Sequence, residues 1–146
     1  MAAFLSMLLL LAASGEPRLA VTGRAAVLHP VVEPAARCSA NPQLVVAITG
    51  FTPPREGTAS LIVSARARDG RTIRLGEVGI FPSQPFSASL AEARRFGFAI
   101  PARFVSPETN VTVEVASDGN GTGAQAIVGE ARITPAPQES CRGRRR

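Results

Sequence analysis

Short runs of alternating apolar and polar residues, each ended by Gly, Pro or Asp, recur along residues 25–134 of this chain. Alternation of this kind places every second side chain on one face of an extended strand, so that one face is buried while the other meets solvent. The turn residues return at intervals typical of antiparallel strands, and no apolar pattern of helical period is long enough to predict a long helix. The sequence therefore predicts an all-β fold, a single antiparallel β-sandwich of about seven strands.

The central strands carry the strongest patterns. Residues 44–48 are apolar at every position, as is typical of a strand buried on both faces. Val111, Val113 and Val115 alternate with polar residues, which predicts that these three side chains lie in the core. Residues 126–133 are predicted to form the strand that closes the sheet.

A hairpin is predicted in the middle of the domain. Residues 59–67 alternate and are followed by Asp69-Gly70, a dipeptide that suits a two-residue type I′ turn. Residues 71–80 then form the return strand. The phase of their alternation changes near Gly76, which predicts a β-bulge at that position.

Three weaker segments complete the pattern. Residues 25–32 are predicted as a first strand, ended by Pro34. Ser89 and Glu92 have the spacing of a capping box, which indicates a single helical turn. Residues 96–100 alternate large and small side chains and are predicted as a short strand.

The N-terminus is typical of a secretory signal. Residues 4–13 are almost entirely apolar, and small residues follow at 13–15, as a signal peptidase requires. An apolar run of this length is too short to cross a bilayer, which needs about twenty residues. We therefore expect residues 1–15 to be removed and the protein to be exported, to a periplasmic or extracellular location, without a transmembrane segment.

The sequence predicts a simple domain organisation. Residues 16–24 are interpreted as a linker, residues 25–134 as the β-sandwich domain, and residues 135–146 as a Pro- and Arg-rich tail. All sixteen basic residues are Arg, and four of them lie among the last five residues. The rest of the chain is close to neutral, and no basic face with aromatic platforms is visible, so specific nucleic-acid binding is not predicted.

Cys38 and Cys141 are the two cysteines of the chain, and they bracket most of the predicted domain. In an exported protein an even number of cysteines favours a disulfide bond. The bond would close a loop of about 100 residues, which limits its stabilisation to about 4.7 kcal/mol. Two separate thiols are the alternative.

The residues that usually carry catalysis are nearly absent. His29 is the only histidine, and its apolar surroundings favour a packing or surface role. A nucleophilic triad or a zinc or copper site would need more ligands or partners, and no Gly-rich nucleotide motif occurs. The carboxylates at Glu77, Glu92, Glu114 and Glu130 are interpreted as solvent-exposed charges. We therefore predict that the protein is not an enzyme and that it has no cofactor and no metal site.

The loop over residues 81–89 is the remaining candidate site. It carries Phe81 and Phe86 together with two prolines, and loops on a rigid scaffold often form binding surfaces. Phe81 and Phe86 are possible contacts with a partner protein. The alternative is that both rings pack back onto the sheet.

The order of these segments resembles the C-terminal β-sandwich domain of plant-type polyphenol oxidases and related tyrosinases. The resemblance covers residues 25–134 and is one of pattern more than identity, because the Lys-Phe-Asp-Val signature of the family is replaced by Ser60-Leu61-Ile62-Val63. The segments that carry it are 43–50, 59–70, 75–82, 96–100, 110–115 and 126–133.

In that family the domain covers the entrance of a di-copper site, whose histidine ligands lie in a separate catalytic domain, and it assists maturation. The resemblance implies that this chain docks on, or assists the maturation of, a separately encoded tyrosinase-type di-copper oxidase. The alternative is a periplasmic or secreted immunoglobulin-like module with a structural or adhesive role. Fold alone does not choose between the two functions.

Overall fold

The computed structural model describes residues 16–118 and 123–137. Two antiparallel sheets pack face to face, and the described chain contains strands and single-turn 3-10 helices. The all-β sandwich predicted from the sequence is confirmed. The strands number ten in the described ranges, because four short strands of two to four residues accompany the longer ones.

The chain crosses several times between the two sheets. Their bounds are β1 Arg18–Val21, β2 Ala26–Leu28, β3 Val31–Val32, β4 Gln43–Thr52, β5 Ala59–Arg66, β6 Thr72–Gly79, β7 Phe86–Ser87, β8 Arg94–Ala99, β9 Asn110–Ser117 and β10 Gln125–Thr134. Single 3-10 turns cover Pro34–Cys38, Leu90–Glu92 and Ala102–Phe104.

One sheet has six strands and the other has four. In the six-stranded sheet, β10 lies between β1 and β4, and both β7 and β8 pair with the far edge of β4. The short β3 pairs in parallel with Arg132 and Ile133 of β10, on the same side of β10 as β1. The four-stranded sheet has the order β2-β9-β5-β6.

The core lies between the sheets and is built from the inward positions that alternation predicts. Val111, Val113 and Val115 of β9 are buried, with Val113 at 0% exposure, so their predicted core position is confirmed. The opposing sheet supplies Leu44 and Ile48 from β4. The chain has no Trp or Tyr, and its core consists mainly of close-packed aliphatic side chains together with Phe51 and Phe104.

The hairpin between β5 and β6 is present, but its turn differs from the predicted two-residue type I′ turn. The amide of Ala67 donates to the carbonyl of Arg71 (2.8 Å), and the amide of Gly70 donates to the carbonyl of Ala67 (3.0 Å). Gly70 has φ of +88°. These bonds define a three-residue loop in which a left-handed glycine ends the turn, a common alternative to the two-residue loop.

The predicted β-bulge near Gly76 is confirmed. Val63 of β5 lies opposite Gly76, whereas the next residue, Ser64, lies opposite Arg74, so Leu75 is the extra residue. The insertion of one residue moves the following side chains to the other face, which is the phase change visible in the sequence.

The N-terminal part of the domain differs from the sequence-based interpretation. The segment 16–24, expected to be a linker, contains β1, which pairs antiparallel with β10. The expected single strand over 25–32 is split at His29 and Pro30 into β2 and β3, which belong to different sheets. Proline provides no amide donor for a ladder, so the chain leaves one sheet and enters the other at this point.

The predicted signal peptide (1–15) lies outside the described residues, as do the turn residues 119–122 and the end of the tail (138–146). Within the described ranges, no helix has the length and apolarity needed to span a membrane.

Candidate functional site

The loop between β6 and β8 presents an aromatic ring to solvent. Phe81 is 78% exposed, the highest value among the large exposed apolar side chains of the described residues. The preceding residue, Ile80, is 2% exposed and packs in the core, so the chain at the base of the loop is fixed. The peptide bond between Phe81 and Pro82 is cis.

Phe86, the second phenylalanine of this loop, packs against the edge of the sheet. It forms β7 with Ser87 and pairs with Phe51 of β4. The centroids of the Phe51 and Phe86 rings are 6.3 Å apart, with an angle of 36° between the ring planes. The two aromatic residues of the loop therefore differ: Phe86 is half-buried and anchors the loop, whereas Phe81 is presented to solvent.

Arg94, the first residue of β8, joins both parts of this loop. The carbon of its guanidinium lies 4.1 Å from the centroid of the Phe86 ring, a distance typical of a cation–π contact. The same guanidinium donates a hydrogen bond from Nη1 to the carbonyl oxygen of Phe81 at 3.3 Å. One arginine side chain thus fixes the backbone at Phe81 relative to the ring of Phe86.

The ring of Phe81 rests on the backbone of Gly79. A Cβ atom at position 79 would lie 2.6 Å from Cε2 of Phe81, closer than carbon atoms approach each other. The glycine therefore leaves the space that the ring occupies. The Cε2 side of the ring lies over Gly79 and most of the side chain is exposed, which is suitable for a contact with a second protein.

An apolar groove of about 740 Å³ lies along β10, between β1 and β3, and reaches Leu28 of the four-stranded sheet. Leu28, Val31 and Leu90 line it, and Leu90 and Val31 are 42% and 46% exposed. Glu130 and Arg132 form its polar rim and are joined by an ion pair of 2.6 Å. The groove offers an apolar floor beside a charge pair that is neutral as a whole.

The groove exists because the neighbours of β10 leave a gap. β1 pairs with β10 as far as Val128, and β3 joins it only at Arg132. The register with β4 is also irregular around Gly129. A Cβ atom at position 129 would lie 2.6 Å from Thr49 Cγ2 and 3.1 Å from Leu90 Cδ1, so this glycine lets both side chains close over the strand.

His29 lies exposed between β2 and β3 and lines the same groove. Across residues 16–118 and 123–137, no three His, Cys, Asp or Glu side chains are close enough together to hold a metal ion. Two of the glutamates considered in the sequence form ion pairs, Glu77 with Arg74 and Glu130 with Arg132. Glu77 is exposed as expected from the sequence, whereas Glu130 is half-buried beside Arg132.

Cys38 is the last residue of the 3-10 turn Pro34–Cys38, and its Sγ lies 3.2 Å from the carbonyl oxygen of Ala35. Cys141 lies outside the described residues, so the bond between the two stays a prediction. In the described chain, residue 136, five positions before Cys141, lies close to Cys38. The amide of Ala136 lies 3.3 Å from Oγ of Ser39, the residue next to Cys38.

Comparison with known proteins finds no matching family model, no similar curated protein and no similar solved structure. The resemblance to the polyphenol oxidase C-terminal domain stays a prediction.

Sequence reasoning found Phe81 and Phe86 but not the residues that position them. Arg94 follows a predicted helical turn, and nothing in its neighbourhood signals a contact with residues 81 and 86. The helical turn predicted from Ser89 and Glu92 is present as the 3-10 turn Leu90–Glu92, but the sequence does not predict the groove, because it indicates a linker where β1 lies. The register shifts around Gly129 become visible only in the structure.

Proposed function

We propose that this protein is a non-catalytic, exported β-sandwich that binds another protein through the loop carrying Phe81. The observation that carries the proposal is the placement of this ring, which is 78% exposed and yet held by its contact with Gly79. The hydrogen bond from Arg94 to the Phe81 carbonyl fixes the backbone beneath it. Exposed aromatic anchors of this kind supply a large share of the energy of protein interfaces.

The fixed position of Phe81 lowers the cost of binding. Burying a phenylalanine side chain contributes about 1.5–3 kcal/mol. Association loses about 0.5–1.5 kcal/mol for each side chain that must be ordered. Because the Phe81 ring is already supported on one face, most of its burial energy is retained in the complex.

The proposed partner is a separately encoded tyrosinase-type di-copper oxidase. This choice is supported by the resemblance of residues 25–134 to the C-terminal domain of that family, in which the domain covers the copper site and assists maturation. The copper ligands would belong to the oxidase, and this chain would contribute a docking surface. The proposed effect on the partner is greater copper loading or maturation, without chemistry on this chain.

The test is co-expression with a tyrosinase-type oxidase from the same organism. We expect the two proteins to co-purify and the oxidase to carry more copper per chain, measured by metal analysis, than when it is expressed alone. If no complex forms and copper content and oxidase activity do not change, this partner is wrong. The immunoglobulin-like structural or adhesive role would then be favoured.

Matched variants test the surface. Phe81→Ser should weaken the complex at least tenfold, about 1.4 kcal/mol, because the anchor is removed. Val27→Ser is the control, since Val27 is 51% exposed on the four-stranded sheet. Leu90→Ser tests whether the apolar groove takes part in binding, because Leu90 lines it. Weakening by Leu90→Ser together with normal binding by Phe81→Ser would place the interface at the groove and contradict the role of the loop.

A further inference from the structure

One end of the sandwich carries a cluster of arginines that the proposed function does not use. The hairpin loop between β5 and β6 lies beside the 3-10 turn Ala102–Phe104, and the cleft between them is lined by Arg68, Asp69, Arg103 and Ser106. We call this end the basic tip and define it by its four arginines, Arg66, Arg68, Arg71 and Arg103.

The basic tip holds the whole positive surplus of the described chain. Residues 16–118 and 123–137 contain twelve arginines and ten acidic residues. Four of these arginines are at the tip, where the acidic residues are Asp69 and Glu108. The remaining eight arginines and eight acidic residues balance each other. The net positive charge of the described residues therefore lies at the basic tip.

Two of the tip arginines have no carboxylate partner. Arg68 pairs with Glu108 at 3.1 Å and Arg71 pairs with Asp69 at 3.2 Å, both at exposed positions. No carboxylate of the described residues lies within 4 Å of Arg66 or Arg103. Both side chains are exposed, and the guanidinium of Arg103 lies 5.2 Å from the centroid of the Phe104 ring. These two guanidinium groups are available to an anion.

The last strand of the sandwich, β10, also ends at the basic tip. β10 ends at Thr134 opposite Gln43, which pairs on its other side with Ala99, the last residue of β8. The chain after β8 enters the 3-10 turn that carries Arg103. Four further arginines follow within residues 142–146. These four arginines lie outside the described residues and are not part of the basic tip.

The chemistry of the tip fits phosphate groups on a surface. The planar guanidinium matches the geometry of phosphate oxygens. None of the exposed large apolar side chains in the described ranges belongs to the tip, so it offers no stacking platform of the kind that single-stranded nucleic acids require. We infer that the basic tip binds the anionic phosphate headgroups of a lipid membrane.

Vesicle sedimentation tests this inference with the full processed chain. Vesicles of phosphatidylcholine mixed with phosphatidylglycerol should retain the protein, and pure phosphatidylcholine should not. Double substitution Arg66→Gln/Arg103→Gln should lower partition by about 30-fold, the effect of two arginines near an anionic surface. Raising the salt from about 0.1 M to 1 M shortens the Debye length from about 10 Å to 3 Å and should release the protein.

The matched control removes the same charge from the opposite end. Arg24 and Arg55 are exposed and have no carboxylate of the described chain within 4 Å. Arg24 follows β1 and Arg55 follows β4, both at the far end from the tip. Arg24→Gln/Arg55→Gln should leave partition within about twofold of the parent protein, because a local patch and not net charge determines binding.

Three results would overturn the inference. Equal losses in the two double variants would show that only net charge matters. Full loss on replacing Arg142, Arg144, Arg145 and Arg146 with Gln, with no loss in the tip variant, would assign binding to the tail alone. Tighter binding to duplex DNA than to the anionic vesicles, at the same salt concentration, would identify a nucleic acid as the ligand. Because vesicles contain no protein partner, these results are independent of the oxidase experiment.

Discussion

Phe81 and Phe86 stand five positions apart in one loop, and their neighbours give them different environments. Phe86 enters a two-residue strand beside β4 and places its ring near that of Phe51. Phe81 lies over Gly79, outside the sheet. Arg94 contacts the Phe86 ring and the Phe81 backbone, so a single side chain couples the anchored residue to the presented one.

This difference predicts that the two substitutions to Ala affect the free energy of unfolding by different amounts. Phe86→Ala removes a half-buried ring and should lower the free energy of unfolding by about 1–3 kcal/mol, less than the 3–5 kcal/mol of a fully buried phenylalanine. Phe81→Ala should change it by less than about 0.5 kcal/mol, as is usual for an exposed side chain. Urea unfolding of the two variants measures both values. Equal losses would show that the Phe81 ring is packed and not presented.

At the scale of residues, the sequence predicts the burial of side chains in regularly alternating strands but not the environment of side chains in loops. Val113 is predicted as core and is fully buried, because its strand has a regular two-residue period. A loop has no period, so the sequence names Phe81 and Phe86 as candidates without separating their environments. Arg94 contacts a residue thirteen positions away, and only the fold brings the two together.

At the scale of strands, irregularities in phase were as informative as regular patterns. The bulge between β5 and β6 leaves Leu75 as the extra residue and places Gly76 opposite Val63. Gly76 also lies under the ring of Phe98 from β8, where the free edges of the two sheets approach. The glycine therefore combines a bulge with a close approach of the two sheets.

Two glycines in neighbouring edge strands allow a sharp test of this contact. A Cβ atom at position 76 would lie 2.9 Å from Cδ1 of Phe98, so Gly76→Ala should displace the ring and cost about 1–3 kcal/mol. At Gly97 the nearest atom, Oε1 of Gln43, is 3.5 Å away, and Gly97→Ala should be neutral or stabilising by up to about 1 kcal/mol. Thermal melting of both variants measures the contrast. A stable Gly76→Ala variant would contradict the packing of Phe98 on β6.

The longer strands and the sandwich class follow from local pattern, whereas the short strands do not. β3 and β7 have two residues each, too few to show any period. β1 lies in a segment rich in Gly, Pro and Arg, and it is a strand because β10 offers an edge for it to pair with. Pairing between residues about 100 positions apart is a property of the fold and leaves no local signal.

At the scale of the whole molecule, the two proposed binding surfaces lie in separate regions of the sandwich. The Phe81 loop projects beyond β6, whereas the basic tip surrounds the turn at the start of β6. The eight residues of β6 span about 25 Å at the usual rise of a strand. A protein partner at the loop and a membrane at the tip can therefore be bound at the same time without overlap.

Cys38 and Cys141 are also predicted to be joined by a disulfide bond. Ala136 lies beside Ser39, and Cys141 follows only five residues later, a distance of at most about 17 Å of extended chain from the neighbour of Cys38. Mass spectrometry of protein collected from the periplasm or medium should show an N-terminus near Gly15 or Glu16. Thiol titration of the same protein under denaturing, non-reducing conditions should find no reactive cysteine. Reduction should then lower the melting temperature by several degrees, at about 3–6 °C for each kcal/mol lost. The paired variant Cys38→Ser/Cys141→Ser should melt like the reduced protein, since a disulfide stabilises mainly by restricting the unfolded chain. Two thiols that react in the exported protein would contradict the bond, and an intact Met1 in the cytosol would contradict export.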